Sequence, residues 1–146
     1  MTAPQAVLFA YNFNSIRSPM AEALMKHLYG RSVFVDSAGV RPAEIDPFAI
    51  AVMDEIGIDL SKHRAKSFDD LDDLSFDVIV SLTPEAHHAA ALITRNIACD
   101  IEYWPTQDPS LNQGSREQSL EAYRELRDDL MQRMIARFGK PGGVDV

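Results

Sequence analysis

Residues 7–19 read Val-Leu-Phe-Ala-Tyr-Asn-Phe-Asn-Ser-Ile-Arg-Ser-Pro, and they predict a strand, a loop and the start of a helix. Val7 to Ala10 form a short continuous apolar run, which is typical of a strand buried on both faces of a parallel sheet. Ser18 and Pro19 indicate a helix start, with the serine as N-cap and the proline at the first helical position. The chain therefore begins as a buried strand that leads through a loop into a helix.

The rest of the chain repeats this alternation of apolar runs and helix starts. Such an alternation predicts a doubly wound parallel sheet with helices on both faces. We therefore expect an α/β protein with a single three-layer domain over residues 1–140, a four-stranded parallel sheet and a frayed tail at 141–146. The predicted elements are strands at Val33–Val35, Val78–Val80 and Ile101–Trp104, helix starts at Asp46-Pro47, Thr83-Pro84 and Ser115-x-x-Gln118, and turns or helix ends at Gly30, Ser37-Ala38-Gly39 and Gly57.

Two loops are predicted to lie at the same edge of this sheet. Ligands of doubly wound sheets bind beyond the carboxyl ends of the strands. The loop after strand one, Tyr11 to Ser18, and the loop after strand four, Pro105 to Asn112, both leave such ends. We therefore expect these two loops to be neighbours in the fold.

The first of these loops has the features of an anion-binding site. Successive backbone N–H groups between a buried strand and a helix N-terminus can converge on an oxyanion. Arg17 adds a planar fork of donors that suits two phosphate oxygens, although it could instead be a surface residue beside a merely capping Ser18. The candidate anion-binding residues are Asn12, Phe13, Asn14, Ser15, Ile16, Arg17 and Ser18.

Composition and charge limit the classes of partner. The 146 residues, of which 46% are apolar and 25% charged, suit one globular domain. The formal net charge of -8 argues against nucleic acid and anionic membranes as partners, and no apolar run approaches a membrane span. One cysteine, Cys99, excludes an intramolecular disulfide and a multi-cysteine metal site, and it fits the reducing cytoplasm. The adjacent His87 and His88 lack an i+4 partner, so we expect no metal and no cofactor.

A series of short motifs, in order along the chain, resembles one known family. The motifs are Val7-Leu8-Phe9, Asn14-x-x-Arg17-Ser18-Pro19-Met20-Ala21-Glu22-Ala23, Ser37-Ala38-Gly39, Gly57-Ile58-Asp59-Leu60, His63-Arg64-Ala65, Phe76-Asp77 and Asp108-Pro109. The chain resembles the low-molecular-weight protein tyrosine phosphatases, whose phosphate-binding loop is a cysteine, five residues and an arginine. The resemblance covers about three quarters of the chain, so it is more specific than a lone motif.

The resemblance implies a covalent phosphatase mechanism from which one group is missing. In the family, a thiolate at position 11 attacks phosphate, Arg17 and the loop amides hold its oxygens, and an aspartic acid at position 108 protonates the leaving group. Tyr11 stands at the nucleophile position in this chain. Its phenol titrates about 1.5 pH units above a thiol, and its ring would occupy space that a phosphate needs. Asp108 then has the alternative role of starting a turn or of bonding the Tyr11 hydroxyl.

Three functional hypotheses follow. The first is a pseudophosphatase, a binding or regulatory module with a protein partner or with retained weak binding of phosphate or another oxyanion. The second is a low-activity or unconventional phosphatase that uses Arg17 and Asp108, with Tyr11 or a water as nucleophile. The third is an altered residue 11 in a protein that naturally has cysteine there. The related arsenate reductases need the loop cysteine and further cysteines, so Cys99 alone excludes that activity.

Overall fold

The computed structural model describes residues 5–13, 16–41, 43–71 and 74–139, which form a parallel sheet flanked by helices. The helices are Arg17–Tyr29 (α1), Pro47–Asp54 (α2), Pro84–Ile93 (α3) and Arg116–Phe138 (α4), with 3-10 turns at Phe68–Asp70 and Pro109–Leu111. The strands are Ala6–Phe13 (β1), Phe34–Arg41 (β2), Val78–Ser81 (β3) and Asp100–Tyr103 (β4). All neighbouring pairs in the order β2-β1-β3-β4 are parallel, which confirms the predicted four-stranded α/β fold.

The sheet separates two apolar layers. On one face, Phe9 packs with Leu24 of α1 and Leu130 of α4 in the larger cluster of buried side chains. On the other face, Leu8 packs in a smaller cluster with Ala90 of α3. Alternate residues of β1 thus point into different layers, and both layers are shielded from solvent. Residues on both faces of the strand are therefore apolar, and Val7 to Ala10 form an unbroken apolar run.

Three predicted helix starts are confirmed because each depends on a local side-chain cap. Asp46 accepts hydrogen bonds from the first-turn amides of α2, and Thr83 does the same for α3. Ser115 and Gln118 form a capping box at the start of α4. No helix in the described part of the chain combines the length and the apolar character needed to cross a membrane.

The predicted loop after strand one is shorter than its sequence suggested. β1 continues through Tyr11 to Phe13, and α1 already begins at Arg17 with Ile16 at the N-cap position. The N-cap prediction for Ser18 is therefore wrong, and Ser18 lies fully buried inside the first turn. The strand is longer because β1 pairs with β2 beyond the apolar run, with Tyr11 opposite Gly39.

One other predicted boundary is wrong. Ser37 to Gly39 lie within β2 rather than in a turn, because β1 provides a complete parallel partner up to Arg41. Gly57 does stop α2, as predicted. Its φ is 81°, its amide donates to the carbonyl of Asp54, and the amide of Ile58 donates to the carbonyl of Met53, which is the glycine-ended Schellman motif. Gly30 does cap the end of α1, as predicted.

Candidate oxyanion site

Tyr11 points into the protein rather than into solvent. Its side chain is 4% exposed and belongs to the larger apolar cluster, together with Ile16. The guanidinium carbon of Arg17 lies 4.5 Å from the centre of the Tyr11 ring, in a cation–π arrangement. The phenol ring thus fills the volume beside the one arginine of the loop.

Arg17 is buried and its donors are largely used within the protein. Its Nη1 donates to the carbonyl oxygen and to the hydroxyl of Thr106, at 3.0 and 3.2 Å. Its Nη2 lies 3.5 Å from Oδ2 of Asp108. Its Nε is buried without a hydrogen-bond partner among the described residues. The alternative of Arg17 as a surface residue is wrong, because Arg17 is only 7% exposed.

The contact between Arg17 and the loop before α4 confirms that the two predicted loops share one edge of the sheet. Asp108 makes two kinds of contact there. Its Oδ1 accepts from the amide and the hydroxyl of Ser110, at 3.0 and 2.6 Å, and so caps the 3-10 turn. Its Oδ2 faces Arg17. The structural role that an Asp-Pro pair indicates is therefore present, and one carboxylate oxygen remains directed at the arginine.

A second buried phenol lies on the side of the site where α2 begins. The Tyr123 hydroxyl donates to Oδ2 of Asp46 at 3.1 Å, while Oδ1 of Asp46 caps α2. Burial raises the pKa of Tyr123 well above its ordinary value, and the Asp46 carboxylate raises it further. Burial also raises the pKa of Tyr11, against the opposing charge and hydrogen bond of Arg17, while Asp108 adds to the rise. Both phenols are neutral at pH 7.

The other predicted anion-binding residues do not all converge on one point. The side-chain oxygen of Asn12 accepts a 2.6 Å hydrogen bond from the hydroxyl of Thr83, the N-cap of α3. Ile16 lies 6% exposed in the apolar core. Asn14, Ser15 and the side chain of Phe13 lie outside the described residues. The described contacts therefore bring Tyr11, Arg17 and Asp108 together and direct Asn12 toward α3.

A buried polar cluster ties α1 to β2 below the loop. The hydroxyl of Ser37 donates to Glu22, which also pairs with Lys26 one turn later. Nδ1 of His63 lies 3.8 Å from Oε1 of Glu22. Burial lowers the pKa of His63, although the Glu22 carboxylate opposes this. These residues anchor the first turn of α1 and with it the backbone of Arg17.

Sequence reasoning missed the roles of Thr106, Asp46 and Tyr123. Thr106 accepts hydrogen bonds from Arg17 and itself donates to the carbonyl of Leu82 at 3.3 Å, so it joins the loop to the end of β3. Its position two residues before Asp108, in a loop already placed at this edge, was the available signal. Nothing in the local sequence indicates that Tyr123 pairs with the cap of another helix.

Cys99 lies at the other end of the sheet, immediately before β4. It is half-buried, and burial raises the pKa of its thiol. A protonated thiol at the amino end of β4 cannot act on a group held at the carboxyl ends.

A protein-family model described as low molecular weight phosphotyrosine protein phosphatase matches residues 6–138. The chain belongs to this family. The match spans every strand and helix of the fold, from β1 to the end of α4.

The relatives of this chain differ in activity, since their names include arsenate reductases and an arginine phosphatase. A glutaredoxin arsenate reductase from Synechocystis is 32% identical over 88% of this chain and 92% of its own length. A solved arsenate reductase in the phosphate binding state is 31% identical, covers 92% of this chain and 98% of that chain, and superposes with a TM-score of 0.70. A mutant of the YwlE arginine phosphatase with a phosphorylated active site serine is 26% identical over 91% and 94% of the two chains, with a TM-score of 0.72.

Proposed function

We propose that this chain is a pseudophosphatase, a binding or regulatory module that keeps the phosphatase fold without covalent catalysis. One observation carries the proposal. The arginine of the loop is held by the ring of Tyr11, by Thr106 and by Asp108, where an active enzyme holds an oxyanion. The site is closed by the protein's own side chains.

The chemistry of residue 11 supports this reading. Tyr11 and Arg17 have the spacing of the family's loop, a cysteine followed by five residues and the arginine, so Tyr11 takes the nucleophile position. A thiol in such a loop ionises at neutral pH and is intrinsically nucleophilic. Burial moves the pKa of Tyr11 upward, away from ionisation. A neutral phenol inside an apolar cluster is a poor nucleophile for phosphorus.

The geometry of Arg17 supports the same reading. A guanidinium binds a phosphate best when two donors along one edge of its plane are directed at the ligand. Nη1 is already directed at Thr106, and Nη2 faces the carboxylate of Asp108, so only Nε has no partner in the ranges that the structure describes. To use Nε and Nη2 together, an oxyanion would have to displace the Asp108 carboxylate, and the Tyr11 ring lies beside the guanidinium.

Arsenate reduction, the activity in the names of several relatives, does not fit this chain. A thiol relay needs a cysteine at the oxyanion site and further cysteines that carry the electrons onward. The sequence has one cysteine, Cys99, and it lies at the opposite end of the sheet. The proposal therefore excludes a thiol-based reductase.

An unconventional phosphatase remains the second candidate, for one specific reason. Asp108 keeps one oxygen directed at Arg17, close to where a leaving group would be protonated. A relative with a phosphorylated active site serine also provides a case of an oxygen nucleophile that accepts phosphate within this fold. In this candidate, Tyr11 or a water attacks and Asp108 is the acid.

Calorimetry with phosphate and with vanadate, combined with an aryl phosphate assay, separates the candidates. We expect no binding and no turnover in the parent protein. Tyr11→Cys removes the ring and provides a thiol, so it should gain both. Tyr11→Phe is the matched control, because it keeps the ring and should stay as inactive as the parent.

Two outcomes contradict the proposal. Turnover by the parent that Tyr11→Phe abolishes would make Tyr11 a catalytic nucleophile. Turnover that survives Tyr11→Phe but is lost in Asp108→Asn would indicate a water nucleophile. Sequencing the source gene tests the remaining hypothesis that residue 11 is naturally cysteine.

A further inference from the structure

Phe34, the first residue of β2, exposes an aromatic ring above a small pocket. Its side chain is 63% exposed, although it stacks on Phe76, whose own exposure is 4%. The two ring centres are 6.1 Å apart and the planes differ by 21°. The pocket has a volume of about 290 Å³, and Leu71 contributes to its wall. The remaining lining residues are Asp36, Lys66, Asp70 and Ser75, so an exposed aromatic ring stands beside charged groups.

The sheet edge beside this pocket is buried, since Val35 is only 3% exposed. β2 is an outer strand, and the amide of Phe34 donates inward to the carbonyl of Gln5 at 2.8 Å. The amide of Gly39 donates outward to Lys66, where an isolated bridge between Gly39 and Ser67 closes that part of the edge. Since successive residues of a strand alternate in direction, the N–H and C=O of Val35 also point outward. Because Val35 is buried, a partner can reach this surface through the exposed Phe34 side chain but not through the backbone of Val35.

The charges around the pocket are mainly acidic on the side of the Phe68–Asp70 turn. Asp36 is paired with Lys66 across the pocket. Asp69 and Asp70 are exposed, and Asp70 accepts hydrogen bonds only from the neutral groups of Ser67. Neither has an ion-pair partner among the described residues. Phe34 also lines a second cavity, to which Arg31 contributes.

These features define the chemistry of the partner. We propose that the Phe34 pocket binds a segment of a partner protein that carries an aromatic or large aliphatic side chain beside lysine or arginine. The apolar side chain enters between Phe34 and Leu71, and the basic residues lie over Asp69 and Asp70. The net charge of -8 attracts such a segment at long range. Repulsion from Arg31 disfavours basic residues at the neighbouring cavity that Phe34 also lines.

This surface is separate from the oxyanion site. Phe34 begins β2 at the amino edge of the parallel sheet, whereas Tyr11 and Arg17 lie toward its carboxyl edge. Binding here therefore does not depend on whether the oxyanion site is open. A failure of this inference leaves the proposed function as it stands.

Fluorescence anisotropy with a capped, labelled peptide Gly-Lys-Lys-Phe-Val-Lys-Gly tests the inference directly. The comparison peptide replaces the phenylalanine by alanine. Burial of one phenylalanine predicts binding about tenfold or more tighter for the first peptide. Phe34→Ser should abolish that difference, and Asp69→Asn should weaken both peptides and their dependence on salt. Arg31→Ala is the matched control, because it removes a nearby charge and should not weaken binding.

The inference is overturned if neither peptide binds, if both bind equally, or if Phe34→Ser binds the first peptide as tightly as the parent does. Sedimentation of the parent and of Phe34→Ser tests the alternative that a second copy of this chain occupies the pocket. A dimer in the parent that Phe34→Ser dissociates would assign the pocket to a second copy of this chain and would also overturn the inference.

Discussion

Replacing Tyr11 by alanine should lower the free energy of unfolding by about 3–5 kcal/mol, the range found when a buried aromatic side chain is truncated. The ring is 4% exposed, lies within the larger apolar cluster and faces the guanidinium of Arg17. Tyr11→Phe keeps the ring and the contact with the arginine. It should cost only about 0.5–2 kcal/mol, because a single hydroxyl hydrogen bond is lost.

Urea unfolding of the parent and both variants, followed by far-ultraviolet circular dichroism, measures these differences. A loss below about 1 kcal/mol for Tyr11→Ala would place the ring at the surface and refute the closed site, since exposed substitutions rarely exceed that range. Tyr11→Ala also tests whether the Tyr11 ring blocks phosphate from the site. Phosphate should stabilise Tyr11→Ala and leave the parent unchanged, because a ligand that binds only the folded state stabilises it.

The remaining predictions concern stability. Burial raises the pKa of Tyr11, Tyr29 and Tyr123, so their contribution to the free energy of unfolding is complete below about pH 10. That contribution is lost as pH rises further, at up to about 1.4 kcal/mol per pH unit for each tyrosine. The urea midpoint should therefore be lower at about pH 11 than at about pH 9, and equal midpoints would contradict this prediction. Asp46→Ala removes the cap of α2 and the acceptor of the Tyr123 hydroxyl, and it should cost about 1–3 kcal/mol in urea unfolding. Ser115→Ala removes one half of the capping box of α4 and should cost about 1 kcal/mol, whereas a neutral result would show that packing alone fixes the helix start.

The sequence was most informative where structure is set by neighbouring residues. The helix starts at Asp46, Thr83 and Ser115 depend on a side chain that bonds an amide two or three positions away, so they could be predicted. The parallel four-stranded sheet could be predicted from the alternation of strands and helices, whereas its strand order was not predicted.

Prediction failed where a distant strand decided the outcome. Ser37 to Gly39 have the composition of a turn, yet pairing with β1 draws them into β2. Ser18 is a residue type that favours the N-cap position, yet α1 begins two residues earlier than predicted. The pairing energy of a parallel strand is not visible in a window of three residues.

The proximity of the candidate site residues could be predicted, but their contacts could not. Arg17 can be singled out from the loop sequence, and Tyr11 and Asp108 from the resemblance to the family. The two loops are expected at one edge of the sheet, where the structure brings the three residues together. Which donors of Arg17 meet Thr106 and which meet Asp108 depends on side-chain packing across the sheet. The burial of Tyr11 beside them likewise depends on the volume left by α1 and α4.

The tie between Arg17 and Asp108 has a consequence for how such a protein evolves. Because Arg17 joins the start of α1 to a loop about ninety positions away, a substitution at Asp108 weakens a structural brace while tyrosine occupies position 11. With cysteine at position 11, the same substitution would instead remove the acid of a working enzyme. The selective value of one residue thus depends on the identity of another, and the substitutions are not additive. Under the proposed function, a lineage with tyrosine at position 11 gains catalysis only through particular orders of mutation.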